Sequence, residues 1–175
     1  MIEGTFVFLF TSDCSSGLSL FKKYQDLPTR GAQAVEQFRI DGSLFLAFAN
    51  SIGDDNGYNT SSFIYKLNDS TGKFFHYQSI DTTGGRHIEY FTIADKHYLA
   101  VANRYSGSTV HLNSVIYQWN EQQFVVFQNL PTTGATNFHF FQMLPEIFLA
   151  VTNYNDELYP QIGRASCRER VYVLV

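Results

Sequence analysis

Cysteine, long apolar runs and clusters of basic residues are scarce in this sequence. Of the 2 cysteines, Cys167 lies in residues 162–175, a C-terminal segment whose sequence does not follow the pattern of the rest of the chain. Cys14 is then either a small buried apolar residue or half of a disulfide whose partner lies outside the sequence. The apolar residues 6–10 are too few for a secretion signal and follow no basic residue. A membrane span takes roughly 20 apolar residues, so we expect no direct membrane insertion by this segment.

The charge balance argues against nucleic acid as a partner. The chain has 12 Lys and Arg against 16 Asp and Glu, a net charge of −4. Without residues 162–175, 9 basic and 15 acidic residues remain, and the net charge is −6. Binding to nucleic acid needs several cations that neutralise phosphates, and no cluster of Lys and Arg supplies them.

Motifs for catalysis and metal binding are also missing. No two of the five histidines have a metal-ligand spacing of two or four residues, and none recurs between the repeated units described below. The sequence has no Gly-Xaa-Ser-Xaa-Gly motif and no glycine-rich phosphate loop before a helix. We therefore expect no metal, no cofactor and no catalytic residues. The histidines are His76, His87, His97, His111 and His139.

What the sequence does contain is a repeat of about 50 residues. A repeat of this length that is rich in strand-forming residues is typical of the blades of a β-propeller. Residues 45–50, 98–103 and 148–153 read FLAFAN, YLAVAN and FLAVTN, with offsets of 53 and 50. The same offsets relate YQDLPTRGA at 24–32, YQSIDTTGG at 77–85 and FQNLPTTGA at 127–135. A third motif, SFIYKLN at 62–68, returns as SVIYQWN at 114–120.

Each unit is predicted to form four short strands. In the first full unit they cover residues 35–40, 43–50, 61–67 and 73–79, with turn signals such as Asp41-Gly42 between them. Both faces of residues 45–49 are apolar, which indicates a strand covered on both sides by neighbouring sheets. The predicted fold is all-β, with blades of four antiparallel strands and about three blades' worth of an incomplete propeller.

The predicted domain is a partial propeller over residues 1–161. Its units are 1–27, 33–79, 86–129 and 136–161, of which the first and last are partial. Closed propellers have about 4 to 8 blades, so two complete units cannot close a ring alone, and we expect a fragment of a larger propeller or one part of an oligomeric ring. Because residues 1–27 resemble the end of an earlier blade, Met1 is not expected to be the true start. Residues 162–175 break the repeat and are expected to be a sequence artefact or a tail.

These linked motifs resemble the epilepsy-associated repeat, also called the EAR or EPTP repeat, over about residues 24–154. Departures are Leu67 where the second copy has Trp119, and Asp81 where the other copies have proline. Such repeats occur in leucine-rich glioma-inactivated proteins and in a thrombospondin-type laminin G domain protein. The resemblance implies a seven-bladed propeller that is secreted or lies on the extracellular face of the cell. It also implies recognition of another extracellular or cell-surface protein, in adhesion or signalling.

Two kinds of site follow from the residues. The loops at 51–60, 104–113 and from 154 onward differ between copies on a constant framework, so we expect partner binding there, with Tyr58, Arg104 and Tyr105 as candidate contacts. Asn59 and Asn68 begin the N-glycosylation patterns Asn-Thr-Ser and Asn-Asp-Ser. For each of these five residues, an ordinary exposed loop residue is the alternative.

Two other functions stay open at this point. One is a propeller enzyme such as a glycosidase, with its catalytic groups in blades outside this sequence. Its candidate acids here are Glu36, Glu89, Asp54 and Asp55, but Glu36 and Glu89 recur at the same repeat position, which favours a structural role. Asp54 and Asp55 could also ligate calcium, although a solvated turn is favoured. The other function is an intracellular adaptor of the kelch type.

Overall fold

The computed structural model describes residues 5–13, 20–53, 55–143, 145–154 and 170–174. Within these ranges the chain is all-β and contains no helix. Cys14, Asp54 and Cys167 lie outside the described residues. The strands are β1 (Thr5–Asp13), β2 (Leu20–Thr29), β3 (Ala32–Ile40), β4 (Ser43–Asn50), β5 (Asn59–Asn68), β6 (Lys73–Thr83), β7 (Gly85–Ile93), β8 (Lys96–Asn103), β9 (His111–Trp119), β10 (Phe124–Thr133), β11 (Ala135–Met143), β12 (Glu146–Asn153) and β13 (Arg170–Leu174).

The strands form four sheets in which each strand pairs with the next one along the chain. The first sheet is β1-β2, the second β3-β4-β5-β6, the third β7-β8-β9-β10 and the fourth β11-β12-β13. Every pairing is antiparallel. The prediction of blades with four antiparallel strands is confirmed. The strands run a few residues longer than predicted. The Thr-Thr pairs that precede the turns between sheets, Thr82-Thr83 and Thr132-Thr133, still belong to the last strands of their sheets, β6 and β10, which we call the outer strands.

The tight turns between the first two strands of the second and third sheets differ in how they reach positive φ. Asp41 and Gly42 have φ values of 49° and 80°, as expected for a two-residue turn that follows the right-handed twist of the strands. At the equivalent turn, Ala94 and Asp95 have φ values of 47° and 62°. A left-handed conformation is unfavourable for alanine, so strand pairing on both sides imposes this turn against local preference.

The middle strands are buried on both faces, as the sequence predicted. In β4, Phe45, Ala47 and Ala49 belong to the hydrophobic cluster shared with the third sheet. Leu46 and Phe48, on the other face, belong to the cluster shared with the first sheet. Both alanines are 0% exposed, which leaves room for large side chains of the neighbouring sheet.

The first strands of successive sheets lie side by side: β3 packs against β7, and β7 against β11. The same aromatic contact marks each step. Phe38 stacks on Tyr90 with ring centroids 4.7 Å apart, and Phe91 stacks on Phe140, also at 4.7 Å. These recurring aromatic residues thus form the interface between sheets along their first strands, β3, β7 and β11, which we call the inner strands. The seven-bladed ring stays a prediction.

At the outer strands, the recurring Tyr-Gln pair joins neighbouring sheets. The side-chain amide of Gln78 in β6 donates from Nε2 to the Phe124 carbonyl (2.8 Å), and its Oε1 accepts from the Phe124 N–H (2.9 Å). Gln25 in β2 makes the same two bonds with Phe74, at 2.7 and 2.9 Å. The tyrosine before Gln78, Tyr77, donates to a turn carbonyl of the third sheet. The glutamine of the motif therefore joins neighbouring sheets through two hydrogen bonds, and we call this arrangement the inter-sheet clamp.

The strand β13 lies within residues 162–175, the segment predicted to be an artefact or a tail. It pairs with β12 at the place that β5 and β9 occupy in the second and third sheets. The origin of the segment and the outer limits of the repeat units stay predictions.

Candidate functional site

The loops that vary between repeats emerge at one end of the sheets, which we name the loop face and define by residues 51–53, 55–58, 104–110 and 154. The third loop beyond residue 154 lies outside the described residues. The inter-sheet connections, each with a glycine at positive φ, lie at the same end. One backbone hydrogen bond recurs in each copy and joins the first loop residue to that glycine. These bonds run from Ser51 N to Gly31 O (3.2 Å), from Arg104 N to Gly84 O (3.2 Å) and from Tyr154 N to Gly134 O (2.7 Å).

The inter-sheet position has to be glycine in the second and third copies. Gly84 has φ of 58°, and a Cβ there would lie 2.3 Å from the Tyr105 carbonyl oxygen. Its N–H donates to Tyr58 O at 2.7 Å, so it pins two loops of neighbouring sheets at once. Gly134 does the same with Val110 O (2.6 Å). The loops therefore stand on a repeated and rigid backbone support.

The side chains on this support differ. Ser51, Arg104 and Tyr154 occupy one repeat position, with identical backbone bonding and unlike side chains. Together with neighbouring residues they line an open cleft of about 450 Å³ between the loops. The structure thus brings all three predicted contact residues into one cleft. The side chains that form its walls include Ile52, Tyr58, Arg86, Arg104, Tyr105 and Tyr154.

The aromatic walls of the cleft are held by specific contacts. The rings of Tyr58 and Tyr105 meet edge to face, with centroids 4.9 Å apart. The Tyr105 hydroxyl donates to Gly107 O at 2.6 Å, which closes the second loop on itself. The Arg104 guanidinium lies 4.9 Å from the centre of the Tyr154 ring. This cation–π contact orients Arg104 and neutralises none of its charge.

Arg86 is the second cation of the cleft. It lies in β7 and donates to the Gln33 side-chain oxygen of β3. In the part of the chain that the structure describes, neither Arg86 nor Arg104 forms an ion pair with a carboxylate. Asp55, the described acid of the first loop, accepts a hydrogen bond from Gly57 N at 2.8 Å. The cleft therefore carries two guanidinium groups with neutral partners.

Arg86 was not among the residues predicted from the sequence. Its repeat equivalents are Gln33 and Thr136, so the position varies between copies directly after the glycine turn. That variation was visible in the sequence. Its meaning was not, because Arg86 is the extra residue of a β-bulge between Gly85 and His87 in the pairing of β7 with β8, which takes its side chain out of the regular alternation of the strand.

Next to the cleft, buried polar residues form hydrogen bonds between strands at the end of the sheet. Asn103 donates from its backbone N–H to Ser114 Oγ (3.2 Å) and from Nδ2 to Asn113 O (2.8 Å). Its Oδ1 accepts from the Thr83 N–H of the preceding sheet (3.0 Å). Asn50 repeats the first two bonds, with Ser62 and Ser61. Asn103 thus holds the strand to which its loop returns and links two sheets, and Asn153 Oδ1 makes the same link by accepting from the Thr133 N–H (3.3 Å). Asn50 Oδ1 has no hydrogen-bond partner among the described residues.

The recurring acids have structural partners. Glu89 Oε1 accepts from Phe140 N at 2.9 Å and lies 3.4 Å from His139 Nδ1, so it joins β7 to β11. Glu36 accepts from the Tyr90 backbone in the same way, and its partial burial raises its pKa above 4.5. Burial lowers the pKa of His87 below 6.5, opposed by the nearby Glu89 charge. In the described ranges, no group of three or more His, Cys, Asp or Glu is placed to hold a metal ion.

The two glycosylation candidates lie at opposite ends of β5, and both are exposed. Asn59 is on the side of the loop face, where its Oδ1 accepts from Thr83 Oγ1 at 3.2 Å. Asn68 is the last residue of β5, and its Oδ1 accepts from the backbone N–H groups of Ser70 and Thr71 in the turn that follows. A glycan on Asn68 would project away from the cleft.

The described residues include no helix long and apolar enough to cross a membrane.

Comparisons with known proteins agree with this architecture. The EPTP domain pattern matches residues 20–68, 73–120 and 123–164. The first match begins with β2, the last strand of the first sheet, and ends with β5, the third strand of the second sheet. The second match spans β6 to β9 in the same way. Each repeat therefore ties two sheets together.

Three similar relatives illustrate the match. The human thrombospondin-type laminin G domain and EAR repeat-containing protein is 44% identical over 100 residues, which are 57% of this chain and 15% of the relative. The mouse protein of the same name is 38% identical over 107 residues, 61% of this chain and 16% of the relative. Mouse leucine-rich repeat LGI family member 2 is 30% identical over 110 residues, 61% of this chain and 17% of the relative. The matched region is thus about a sixth of each relative's length.

Proposed function

This chain belongs to the EPTP repeat family, and from that premise we propose that it is an extracellular module for binding another protein through its loop face. One observation carries the proposal. Ser51, Arg104 and Tyr154 share a backbone hydrogen bond and differ in side chain, at the wall of one cleft. A constant support with variable side chains is the usual arrangement of a recognition surface.

The composition of the cleft supports a protein partner. Tyrosine and arginine are enriched in protein interfaces, since both offer a large contact area together with hydrogen-bonding groups. The walls contain three tyrosines and two arginines. Tyr58, Arg104 and Tyr105 are the proposed contacts, and Arg86 joins them.

The enzyme alternative has less support. A glycosidase needs two carboxyl groups facing the bond that breaks. Glu36 and Glu89 each accept a backbone N–H of the next inner strand. The relatives' names describe domains and repeats and name no reaction.

An extracellular location is supported by two observations. Asn59 and Asn68 are exposed, as glycan acceptors must be. One relative's name also pairs EAR repeats with a thrombospondin-type laminin G domain, and another's names leucine-rich repeats. We propose that the chain is secreted or displayed on the outer cell surface, where it would act in adhesion or signalling.

The proposal is tested with the full chain fused to an antibody Fc domain and added to cultured animal cells. We expect saturable binding in flow cytometry that disappears when the cells are treated with trypsin. Tyr105→Ser should weaken binding about tenfold, the loss of one interface anchor. Phe75→Ser is the matched control, because Phe75 is an exposed aromatic of the outer strand β6. Trp119 fluorescence of the same variants without the Fc domain checks that both fold, because Trp119 is the only tryptophan of the chain.

Three results would contradict the proposal: no cell binding, binding that resists trypsin, or equal losses for the two variants. Location is tested by mass spectrometry of the chain secreted from animal cells through an added signal sequence. We expect a glycan on Asn68 that is lost in Asn68→Gln. Unmodified Asn59 and Asn68 in secreted protein would remove this support for an extracellular role.

A further inference from the structure

The strongest unexplained feature of the loop face is its pair of guanidinium groups. Arg86 and Arg104 line one cleft, and each contacts a neutral group of this chain: the Gln33 side-chain oxygen and the Tyr154 ring. Among the described residues no carboxylate pairs with either. Two cations that line one cleft repel each other.

We propose that this cleft binds carboxylate side chains of an acidic peptide segment in the partner protein. The inference rests on the interaction function proposed above and names the chemistry of its ligand. A guanidinium presents parallel N–H donors that match the two oxygens of a carboxylate. Arg104 is oriented for this by the Tyr154 ring, and Arg86 by Gln33, so less side-chain freedom is lost on binding.

The size of the cleft favours a short segment. Its volume of about 450 Å³ falls in the range of roughly 300 to 1,000 Å³ that is typical of pockets for compact ligands. Tyr58 and Tyr105, in edge-to-face contact, offer an apolar wall against which the carbon chains of glutamate or a neighbouring aromatic residue could pack.

A peptide is favoured over a sulfated glycan because of the charge around the cleft. Sulfated glycans are polyanions that are attracted by extended basic surfaces. This chain has a net charge of −4, and Asp55 lies in the first loop. Long polyanions are therefore repelled at a distance, whereas one or two carboxylates are stabilised by the local pair of arginines.

The test uses the full chain displayed on yeast cells, with display level as the measure of folding. The probe is a tetraglutamate peptide amide that carries a neutral dye, and tetraglutamine with the same dye is its uncharged match. We expect saturable binding of tetraglutamate at low ionic strength, weakened by added salt. We expect no saturable binding of tetraglutamine.

Variants locate the site. Arg86→Gln and Arg104→Gln should each weaken tetraglutamate binding about tenfold, the loss of one charge-assisted contact. Arg104→Lys should bind with intermediate strength, because it keeps the charge without the planar pair of donors. Arg39→Gln is the matched control, since Arg39 is an exposed arginine at the opposite end of β3 that donates to Gly42 O. It should bind like the parent chain.

Four results would overturn the inference. They are no saturable tetraglutamate binding, equal binding of tetraglutamine, equal losses for Arg39→Gln and Arg104→Gln, and a heparin-derived octasaccharide that binds tighter than tetraglutamate and depends on the same arginines. If tetraglutamate fails to bind while the Fc fusion still binds trypsin-sensitive sites on cells, the carboxylate inference fails and the interaction function stands. If the peptide binds but the cells do not, the interaction function fails instead.

Discussion

Gln78 offers a direct measure of how strongly neighbouring sheets are joined. Its amide makes two hydrogen bonds to the backbone of Phe124, at 2.8 and 2.9 Å, across the boundary between the second and third sheets. The substitution Gln78→Leu keeps the approximate size of the side chain and removes both bonds. It leaves the Phe124 N–H and carbonyl without these partners, beside a ring that is 2% exposed.

The magnitude follows from these two bonds. A hydrogen bond contributes a net of about 0.5–1.5 kcal/mol, and an unsatisfied buried group costs about 1–3 kcal/mol. Because Gln78 is only half-buried and water can reach part of the site, we expect a loss of about 2 kcal/mol. With a typical dependence on urea of about 2 kcal/mol per molar, the midpoint should fall by about 1 M.

Unfolding is followed by the fluorescence of Trp119, since it is the only tryptophan of the chain. Its ring meets Phe45 of the second sheet at 5.9 Å and Phe124 at 5.2 Å. Its fluorescence during urea unfolding therefore reports on the boundary that Gln78 clamps. The matched control is Gln128→Leu, at the same repeat position in the third sheet. Gln128 is exposed, and its side chain has no hydrogen bond to a described residue.

We expect Gln128→Leu to change the free energy of unfolding by less than about 0.5 kcal/mol. Equal midpoint shifts for the two variants would refute the clamp, because the repeat position alone would then explain the effect. So would a shift for Gln78→Leu that is indistinguishable from zero.

Three further predictions concern the core, the polar network and pH. Ala47→Leu should lower stability by about 1–3 kcal/mol through overpacking, because Ala47 is 0% exposed between two sheets, whereas Val35→Leu at an exposed site should be near neutral in the same urea titration. Ser114→Ala should cost about 1–3 kcal/mol, since it removes the acceptor of the Asn103 N–H, and faster amide exchange at Asn103 would be its direct sign. Burial lowers the pKa of His87 below 6.5, so the unfolded chain takes up the proton first as pH falls. Stability should therefore be full above pH 6.5 and decrease as pH falls from 6.5 to the lowered pKa, and unfolding of His87→Gln should depend less on pH over that window.

Much of the fold was predictable because the repeat is local and its period is regular. The alternation in residues 45–49 places Ala47 and Ala49 on one face and Leu46 and Phe48 on the other, whichever sheets cover them. The Asp41-Gly42 turn was equally predictable, since positive φ suits this pair. The turn at Ala94 and Asp95 was not, because strand pairing there overrides local preference.

The candidate site was predictable only in part. Variation of the loops on a constant framework indicated Tyr58, Arg104 and Tyr105. That these residues form one cleft with Arg86 depends on how far the third sheet is rotated and shifted against the second, which no local pattern encodes.

By itself, the sequence determined the unit: four antiparallel strands, a middle strand buried on both faces, and loops that vary where the framework does not. It could do so because strand periodicity and turn chemistry act over a few residues. The tertiary structure alone decided what joins the units. The Gln78 clamp to Phe124 and the paired guanidinium groups of Arg86 and Arg104 exist only where neighbouring sheets meet, since their partners are distant in the chain and are brought together by packing between sheets.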